Sequence, residues 1–199
     1  MSPLPFSQSC ENNQAPIAEV LAQYLTPAQT LLEIGSGTGQ HGYYFTERFP
    51  QLYWQPSDCA ENLPMIQQWV AAAGRANYVA PFVFDVSAPP VPAQQYDGLF
   101  SANTLHIMSW PQVQAFFHLL PEWLAPQGFL FIYGPFKYDG HFTSDSNAGF
   151  DQWLKSRAAH QGIRDIEAVN QCAIQQGLTL IQDHTMPANN RLLVWRREQ

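Results

Sequence analysis

The sequence is poor in positive charge and has no long apolar run. Two of its 199 residues are lysine, and nine Lys and Arg side chains stand against sixteen Asp and Glu, for a net charge of -7. A chain without a basic stripe cannot neutralise a row of phosphates, so we expect no nucleic-acid partner. The apolar runs are shorter than a membrane span, and residues 1–10 lack the basic and apolar regions of a signal peptide. We therefore predict a cytoplasmic protein with no membrane partner.

Cysteine and histidine are too scattered to build a disulfide framework or a metal centre. Cys10, Cys59 and Cys172 form no C-x-x-C pair, and the six histidines show no ligand spacing. This pattern predicts free thiols in a reducing compartment and no bound metal. With 46% apolar residues, the chain can bury one substantial core, which predicts a single domain over residues 1–199. The sequence leaves the oligomeric state open.

Apolar strands and amphipathic helices alternate along the chain. Strands are predicted over residues 30–34, 52–58, 81–86, 97–103, 129–133, 178–186 and 191–197. Helices are predicted over 17–25 with Pro16 in the first turn, after the glycines at 35–39, over 63–73, after Ser109, around 150–154, and over 166–177 with Asp165 as the cap; residues 134–147 are predicted to be irregular. This order predicts an α/β fold with a Rossmann-like, seven-stranded, mostly parallel sheet, helices on both faces and a C-terminal antiparallel hairpin.

A glycine-rich turn directly follows the first predicted strand. Glycines allow a sharp turn and a close approach of the backbone to a ligand. Glu33, two residues before the first glycine, would repel a pyrophosphate but suits a cationic ligand such as the ammonium group of S-adenosylmethionine (SAM). We therefore predict a SAM site; the alternative is a tight turn without a ligand. The cofactor contacts predicted in this run are Glu33, Gly35, Ser36, Gly37 and Gly39.

A dinucleotide-binding loop is the main competitor. Residues 37–42 satisfy G-x-G-x-x-G, and Asp58 lies 21 residues beyond Gly37. In the dinucleotide fold, however, the first glycine of the fingerprint directly follows the strand. That position is Gly35 here, and the pattern then fails at Gln40. An NAD(P)-binding oxidoreductase is therefore retained only as an alternative.

Polar residues follow the later strands at the edge where ligands of open α/β sheets bind. Asp58 is predicted to accept both hydroxyls of a ribose, and Asp85, with its neighbour Val86, to contact the adenine. Asn103 ends the fourth strand and is assigned to both cofactor and substrate. Asp58 and Asp85 each have an alternative as ordinary turn residues.

The predicted acceptor side lies beyond strands four and five. His106, Tyr133 and His141 are the candidate catalytic residues, and Asn103, His106, Tyr133 and Asn190 the candidate substrate contacts. His106 has an equal alternative as a packed structural histidine. Without a basic cluster nearby, a small neutral or modestly polar acceptor is favoured over a phosphorylated one.

On these residues the chain resembles the class I SAM-dependent methyltransferases. More narrowly, it is similar to a family of predicted methyltransferases classed as a domain of unknown function, which includes the animal methyltransferase-like 26 proteins. The strings that carry the resemblance are residues 33–41, 54–58, 102–107, 133–136, 142–147, 162–165 and 187–190. The resemblance departs at Asn12 and Gln14, where Arg and Lys are expected, so an anion contact there is not carried over.

The resemblance implies a SAM-binding fold, and with the residues above it predicts a SAM-dependent methyltransferase acting on an unidentified small molecule. Methyl transfer needs mainly alignment of nucleophile and sulfonium, so the chemistry by itself forces no catalytic residue. Two alternatives stay open. One is a non-catalytic SAM- or nucleotide-binding regulatory protein, and the other is the NAD(P)-binding oxidoreductase.

Overall fold

The computed structural model describes residues 3–25 and 29–199, which form alternating helices and strands. The helices are α1 (Gln8–Leu21), α2 (Gln40–Arg48), α3 (Leu63–Ala73), α4 (Trp110–Trp123), α5 (Asp145–Arg157) and α6 (Ile166–Gln175). The strands are β1 (Thr30–Ile34), β2 (Tyr53–Asp58), β3 (Phe82–Val83), β4 (Tyr96–Ala102), β5 (Leu124–Gly134), β6 (Phe136–Tyr138), β7 (His141–Phe142), β8 (Arg164–Asp165), β9 (Leu178–Met186) and β10 (Asn190–Arg197). Within the described ranges, no helix combines the length and apolar character needed to cross a membrane.

The main sheet has the strand order β3-β2-β1-β4-β5-β10-β9. Strands β1 to β5 pair in parallel, whereas β10 runs antiparallel to both β5 and β9. The predicted α/β fold with its C-terminal antiparallel hairpin is confirmed. The chain leaves β1 toward β2 on one side and returns to β4 on the other. The carboxyl ends of β1 and β4 therefore flank a topological switch point, where open α/β sheets bind ligands.

Two apolar cores cover the two faces of the sheet. Along β1, Leu32 and Ile34 belong to a core that also contains residues of α4 and α6. Leu31 belongs to a second core with residues of α1 and α2. Successive side chains of a strand point to opposite faces, so this division follows from the pleat. Such strands are apolar on both sides, as in parallel sheets generally.

Several local predictions are confirmed at their cap residues. The Ser109 hydroxyl and the Gln112 side chain form a reciprocal capping box at the start of α4. Gly74 ends α3 in the left-handed conformation, with φ +57°. Strand β1 has the predicted bounds.

The predicted bounds of the first helix and the third strand are wrong. Helix α1 begins at Gln8, about two turns before the expected start, because Ser7 caps it and Pro16 is accommodated inside it. Strand β3 is limited to Phe82–Val83. It ends early because Asp85 turns the chain, its carboxylate accepting a hydrogen bond from Ser87 N at 2.8 Å.

The segment 134–147 is also more regular than predicted. Strands β6 and β7 form a hairpin whose turn residues Asp139 and Gly140 both have positive φ, at 49° and 77°. An Asp-Gly pair between two short strands is a strong hairpin signal, and the sequence analysis missed it. Asp165 occupies the N-cap position of α6 but its side chain caps nothing there. Its carboxylate accepts instead from Gly140 N at 2.9 Å, which ties this hairpin to β8.

Candidate functional site

A cavity of about 970 Å³ opens at the carboxyl ends of the central parallel strands. Its walls come from the glycine turn after β1, the ends of β2, β4 and β5, the first turns of α1, and α5. The structure brings most predicted site residues to this cavity. They are Gly35, Ser36, Gly37, Asp58, Asp85, Val86, Asn103, His106, Tyr133 and Asn190. Glu33, Gly39 and His141 are predicted site residues that lie outside its lining.

The glycine turn shapes one side of the cavity. At Gly35, with φ +81°, a Cβ atom would collide with the methyl group of Thr104, so the close approach of the two loops requires glycine. At Gly37, with φ +57°, a Cβ would meet no atom within 4 Å. The space over Gly37 therefore belongs to the cavity, and any side chain there would enter it.

Ser36 and Gly39 support the turn from behind. The Ser36 hydroxyl accepts a hydrogen bond from Ser57 N at 3.1 Å, which joins the turn to β2. Gly39 caps α2 with φ +93°, and a Cβ there would lie 3.1 Å from Ile66 Cα. Its carbonyl accepts from the Tyr78 hydroxyl at 2.7 Å. Gly39 is therefore a packing glycine, and the expected cofactor contact does not follow from its position.

Asp58 links the end of β2 to the glycine turn. Its Oδ2 accepts from Gly37 N at 2.7 Å, while Oδ1 accepts from Cys59 N at 2.7 Å and from the Asn62 amide at 2.9 Å. Burial raises the pKa of Asp58, and these three donors oppose the rise. A carboxylate offers about four acceptor sites. Asp58 thus keeps about one acceptor site for a ligand, fewer than a clamp on two hydroxyls would use.

Asp85 and Val86 line the cavity just beyond β3. The half-buried Asp85 carboxylate closes its own turn through Oδ1, which leaves Oδ2 without a hydrogen bond to the described residues. Val86 is buried and belongs to the core on the α4 face. This pair offers a carboxylate oxygen beside an apolar wall.

The predicted contact of Glu33 with a cationic ligand is not supported by its position. Glu33 is fully buried and points to the face of the sheet that carries α2. Its Oε2 accepts from the Trp54 indole at 2.9 Å, and its Oε1 lies 3.5 Å from Nδ1 of His41. The alternation of side chains along β1 sends this residue behind the glycine turn. His41, which the sequence analysis left without a role, reaches the cavity in its place.

Both ring nitrogens of His41 face oxygen atoms. Nε2 lies 2.7 Å from Oδ1 of Asn13, and Nδ1 faces the Glu33 carboxylate. Two acceptors call for two N–H groups, which is the charged imidazolium form. Burial opposes that charge, but contacts with Cys10 and Glu33 outweigh it and raise the pKa of His41 to about 9. This wall of the cavity therefore carries a buried cation.

His106 also lines the cavity and is neutral. It is 6% exposed, and its ring meets the edge of Phe150 with centroids 5.3 Å apart. Burial, together with the charge of Arg164, lowers the pKa of His106 to about 4. No hydrogen-bond partner for its ring nitrogens occurs among residues 3–25 and 29–199. The imidazole is thus free to accept a proton or a hydrogen bond from a ligand.

Asn103, Tyr133 and Asn190 also line the cavity. Asn103 adopts a positive φ of 58° after β4, and its N–H donates to the Tyr133 carbonyl at 2.9 Å. Tyr133 is buried, which raises the pKa of its hydroxyl, and the side chains of Asn13 and Asn190 oppose the rise. Asn190 also donates to the Pro187 carbonyl at 3.2 Å. Tyr133 therefore joins α1 and the C-terminal hairpin at the cavity.

His141 does not join the other candidate catalytic residues. It is exposed in β7, on the hairpin beyond the cavity. The sequence analysis placed it at the end of strand five because it treated residues 134–147 as an irregular loop. The β6–β7 hairpin carries it away from the strand ends instead.

Helices α1 and α5 contribute walls that were not predicted from the sequence. From α5, Phe150 and Trp153 stack with centroids 5.6 Å apart, and Arg157 lies 4.9 Å over the Trp153 ring. From α1, Cys10, Asn12 and Asn13 face the cavity, whereas Gln14 does not. One signal was available, since Asn13 is a polar residue on the apolar face of α1, four positions before Ile17.

Solved methyltransferase structures share this fold. An O-methyltransferase family protein from Burkholderia thailandensis matches with a TM-score of 0.79 and 16% identity, over 96% of this chain and 58% of its own. An O-methyltransferase family 2 protein from Planctomyces limnophilus, solved with apigenin, matches with a TM-score of 0.79 and 17% identity, over 95% and 60%. Human N-acetylserotonin methyltransferase, solved with SAM, matches with a TM-score of 0.76 and 13% identity, over 96% and 53%.

The chain thus spans between half and two thirds of the length of these proteins, and at such identities the likeness shows a common fold. The resemblance to the methyltransferase-like 26 proteins stays a prediction. A family model described as "Protein of unknown function (DUF938)" matches residues 4–197. The chain therefore belongs to that family.

Proposed function

We propose that this protein is a SAM-dependent methyltransferase that acts on a small molecule. The observation that carries the proposal is the cavity at the topological switch point, with open space over Gly37 and a carboxylate at the end of the neighbouring strand. Ligands of open α/β sheets bind at this place. The fold shared with O-methyltransferases supports the same reading.

The residues at the cavity fit SAM better than a dinucleotide. A volume of about 970 Å³ accommodates a cofactor together with a small acceptor. Asp58 and Asp85 present carboxylate oxygens to hydroxyl or amino groups and would repel a pyrophosphate. Among the described residues, Arg157 is the one Lys or Arg side chain in the lining, and it lies on α5 rather than at the glycine turn. A dinucleotide would find no Lys or Arg among the described residues of the turn to balance its phosphates, and the His41 cation there already faces Asn13 and Glu33.

When bound, SAM supplies an electrophilic methyl group on a sulfonium. The work of the chain is then to hold the acceptor in line with that group, which can account for most of the rate. Neutral His106 is the group that accepts a hydrogen bond from an acceptor O–H or N–H, and it takes the proton as methylation makes that proton strongly acidic, since a pKa of about 4 leaves the imidazole a weak base. Tyr133, which lines the same cavity, positions the acceptor beside it.

The acceptor end of the cavity is lined by aromatic and apolar groups. Phe150 and Trp153 form a stacked pair, and Ile107 is 44% exposed at the same wall. Flat rings pack favourably on such a wall. We therefore propose a small acceptor with a flat apolar body and one polar group that reaches His106.

Calorimetry of the purified chain with SAM, its demethylated product and NAD tests the cofactor. We expect micromolar binding of SAM and of the product, and no heat with NAD. Binding of NAD without a response to SAM would contradict the proposal and revive the oxidoreductase alternative. A screen of flat phenols and amines with SAM, followed by mass spectrometry, then tests turnover. SAM binding with no methylated product from any acceptor would favour a non-catalytic regulatory protein.

A further inference from the structure

The backbone turn that carries His106 is held by hydrogen bonds from a segment outside the cavity. The N–H of Gly162 donates to the His106 carbonyl at 2.9 Å. The guanidinium of Arg164 donates through Nε to the Leu105 carbonyl at 2.9 Å, and through Nη2 to the Met108 carbonyl. Three carbonyls of this turn therefore receive hydrogen bonds from two residues that lie close together in the chain.

The same segment is fastened to α5, which forms the aromatic wall of the cavity. The N–H of Ile163 donates to Oδ1 of Asp151, a buried residue of α5, at 2.8 Å. A Cβ atom at Gly162 would lie 2.9 Å from that oxygen, so the segment passes the helix closely. From α5, the Phe150 ring meets the edge of the His106 ring. The histidine turn and the aromatic wall thus share one anchor.

The imidazole of His106 depends on this anchor because no hydrogen bond holds the ring itself. Its nitrogens have no partner among the described residues, so the ring is placed by its backbone and by its contact with Phe150. Arg164 suits the task, since a planar guanidinium presents several N–H groups in a fixed fork. It also donates to the His160 carbonyl at 3.0 Å. Arg164 does not line the cavity and can act on an acceptor only through His106.

From these contacts we infer that Arg164 is a positioning residue, which holds the turn that aims the His106 imidazole at the methyl acceptor. This inference rests on the proposed function. An imidazole can take a proton only within hydrogen-bond reach of the group that loses it. Misplacement of a reacting group by about 1 Å can cost about 100-fold in rate.

The charge of Arg164 has a second effect on the same ring. Burial, and then the Arg164 cation, lower the pKa of His106, which favours the neutral form that accepts a hydrogen bond. Asp151 acts on Arg164 and is itself paired with Lys155 Nζ at 2.6 Å. Hydrogen-bond geometry and charge can therefore be separated by substitution.

Arg164→Gln and Arg197→Gln form a matched pair of variants. Arg197 is half-buried like Arg164, lies outside the cavity lining, and also donates to two backbone carbonyls, those of Pro121 and Leu124. Both variants should lose similar stability in thermal unfolding. Only Arg164→Gln should change the His106 turn. Arg164→Lys keeps the charge but loses the fork, so it separates the two effects.

Two measurements on ligand-free protein test the anchor. The N–H groups of Ile107 and Met108 both donate to the Thr104 carbonyl inside the turn, and their hydrogen exchange reports its order. We expect exchange at least about fivefold faster in Arg164→Gln and unchanged in Arg197→Gln. By NMR titration, the pKa of His106 should rise from about 4 toward 6.5 in Arg164→Gln and stay low in Arg164→Lys.

A third measurement tests the consequence for turnover. In Arg164→Gln, kcat per folded molecule should fall about 10- to 100-fold. The KM of the acceptor and the affinity for SAM should change little, because Arg164 is outside the cavity lining. Arg164→Lys should recover part of kcat, and Arg197→Gln should match the wild type.

Unchanged exchange of Ile107 and Met108 in Arg164→Gln would overturn the inference whatever the turnover. Equal kcat per folded molecule in Arg164→Gln and Arg197→Gln would assign Arg164 a purely structural role and overturn it as well. If Arg164→Gln does not fold, Arg164→Lys takes its place in the exchange and turnover measurements. A wild type that neither binds SAM nor methylates an acceptor would refute the proposed function. Exchange and titration would still decide whether Arg164 holds the turn, so the two failures are distinguishable.

Discussion

Two histidines that line one cavity have different charge states. His41 and His106 are about equally buried, at 4% and 6% exposure. His41 faces Asn13 and Glu33, and its pKa is raised to about 9. His106 faces Phe150 and the charge of Arg164, and its pKa is lowered to about 4. Burial alone disfavours the charged form in both places, so the partners decide the difference.

This contrast divides the cavity into two chemical halves. On the His41 wall, polar side chains from α1, α2 and β1 are bonded to one another and hold the glycine turn and α1 together. On the His106 wall, the ring nitrogens are free and the neighbours are aromatic. A bonded, charged histidine suits a fixed binding wall, and a free, neutral one suits proton acceptance. The glycine turn lies in the lining with both histidines.

The largest effect is expected for Gly37→Val. A branched side chain would occupy the open space over this residue, so SAM binding should be lost, by more than about 100-fold, in calorimetry. Gly74→Val is the matched control, because Gly74 has the same φ of +57°, the same open surroundings and no place in the cavity lining. Both variants should lose similar stability from backbone strain. Equal SAM affinity in the two variants would contradict the assigned binding place.

The next effect concerns stability, with opposite pH dependence for the two histidines. The pKa of His41 is raised from 6.5. Its contribution to the free energy of unfolding is therefore complete below pH 6.5 and is lost as the pH rises through about 9. The pKa of His106 is lowered, so its contribution is present above pH 6.5 and is lost as pH falls through about 4. Each difference corresponds to about 3 kcal/mol of unfolding free energy.

Urea unfolding of the wild type, His41→Gln and His106→Gln at pH 4, 6.5 and 9.5 measures these contributions. The free energy of unfolding of the wild type should approach that of His41→Gln as the pH rises to 9.5. It should approach that of His106→Gln as the pH falls to 4. Parallel pH profiles for all three proteins would show that folding shifts the pKa of neither histidine, and would contradict the comparison.

A third effect is expected in turnover. It distinguishes residues that act on the acceptor from residues that bind SAM. His106→Ala should lower turnover about 100-fold, since a positioned proton acceptor contributes on that order. SAM affinity should stay near that of the wild type. His141→Ala is the control histidine and should change neither quantity, because His141 is exposed on the β6–β7 hairpin. Tyr133→Phe should lower turnover less than His106→Ala.

If His106→Ala instead lowers the melting temperature and leaves activity per folded molecule intact, the residue is structural. The acceptor found by the product screen serves as substrate in these assays. A normal turnover in His106→Ala with normal stability would remove the proposed proton acceptor altogether.

The smallest of the four effects is expected for Asp58→Ala. Leaving buried polar groups unpaired costs about 1–3 kcal/mol, so SAM should bind about 10- to 100-fold more weakly. Two contacts contribute to this loss. The ligand loses the free acceptor site of the Asp58 carboxylate, and the Gly37 N–H loses its hydrogen-bond acceptor. Asn62→Ala removes one donor to Asp58 and leaves its contact with Gly37, so it should weaken SAM only slightly. Similar losses in both variants would assign Asp58 to the turn rather than to the ligand.

The sheet and the glycine turn were predictable because they depend on local patterns. Apolar runs separated by helices predict parallel strands. The short turn at residues 187–190 predicts that the last two strands pair in antiparallel orientation. Strand ends then predicted the cavity positions of Asp58, Asp85 and Asn103, since parallel strands end at one edge of a sheet. The Asp139-Gly140 turn was equally local, and its signal was available in the sequence.

The direction and charge of single side chains were not predictable in this way. Glu33 has the expected place in the chain, but the pleat of β1 turns it behind the glycine loop, where it meets His41 and Trp54. His41 and His106 look alike in sequence, and their neighbours come from residues up to 58 positions away, such as Arg164 beside His106. No window along the chain contains such a neighbour.

The sequence by itself determined the alternation of strands and helices with its C-terminal hairpin, the edge of the sheet that carries the site and the glycines that shape it. The tertiary structure decided which residues form the walls: α1 and α5 approach, His141 is carried away, and one histidine is charged while the other is neutral. The physical reason is range. Backbone conformation depends on a few neighbouring residues, whereas burial and electrostatic partners depend on everything that the fold brings within a few ångströms.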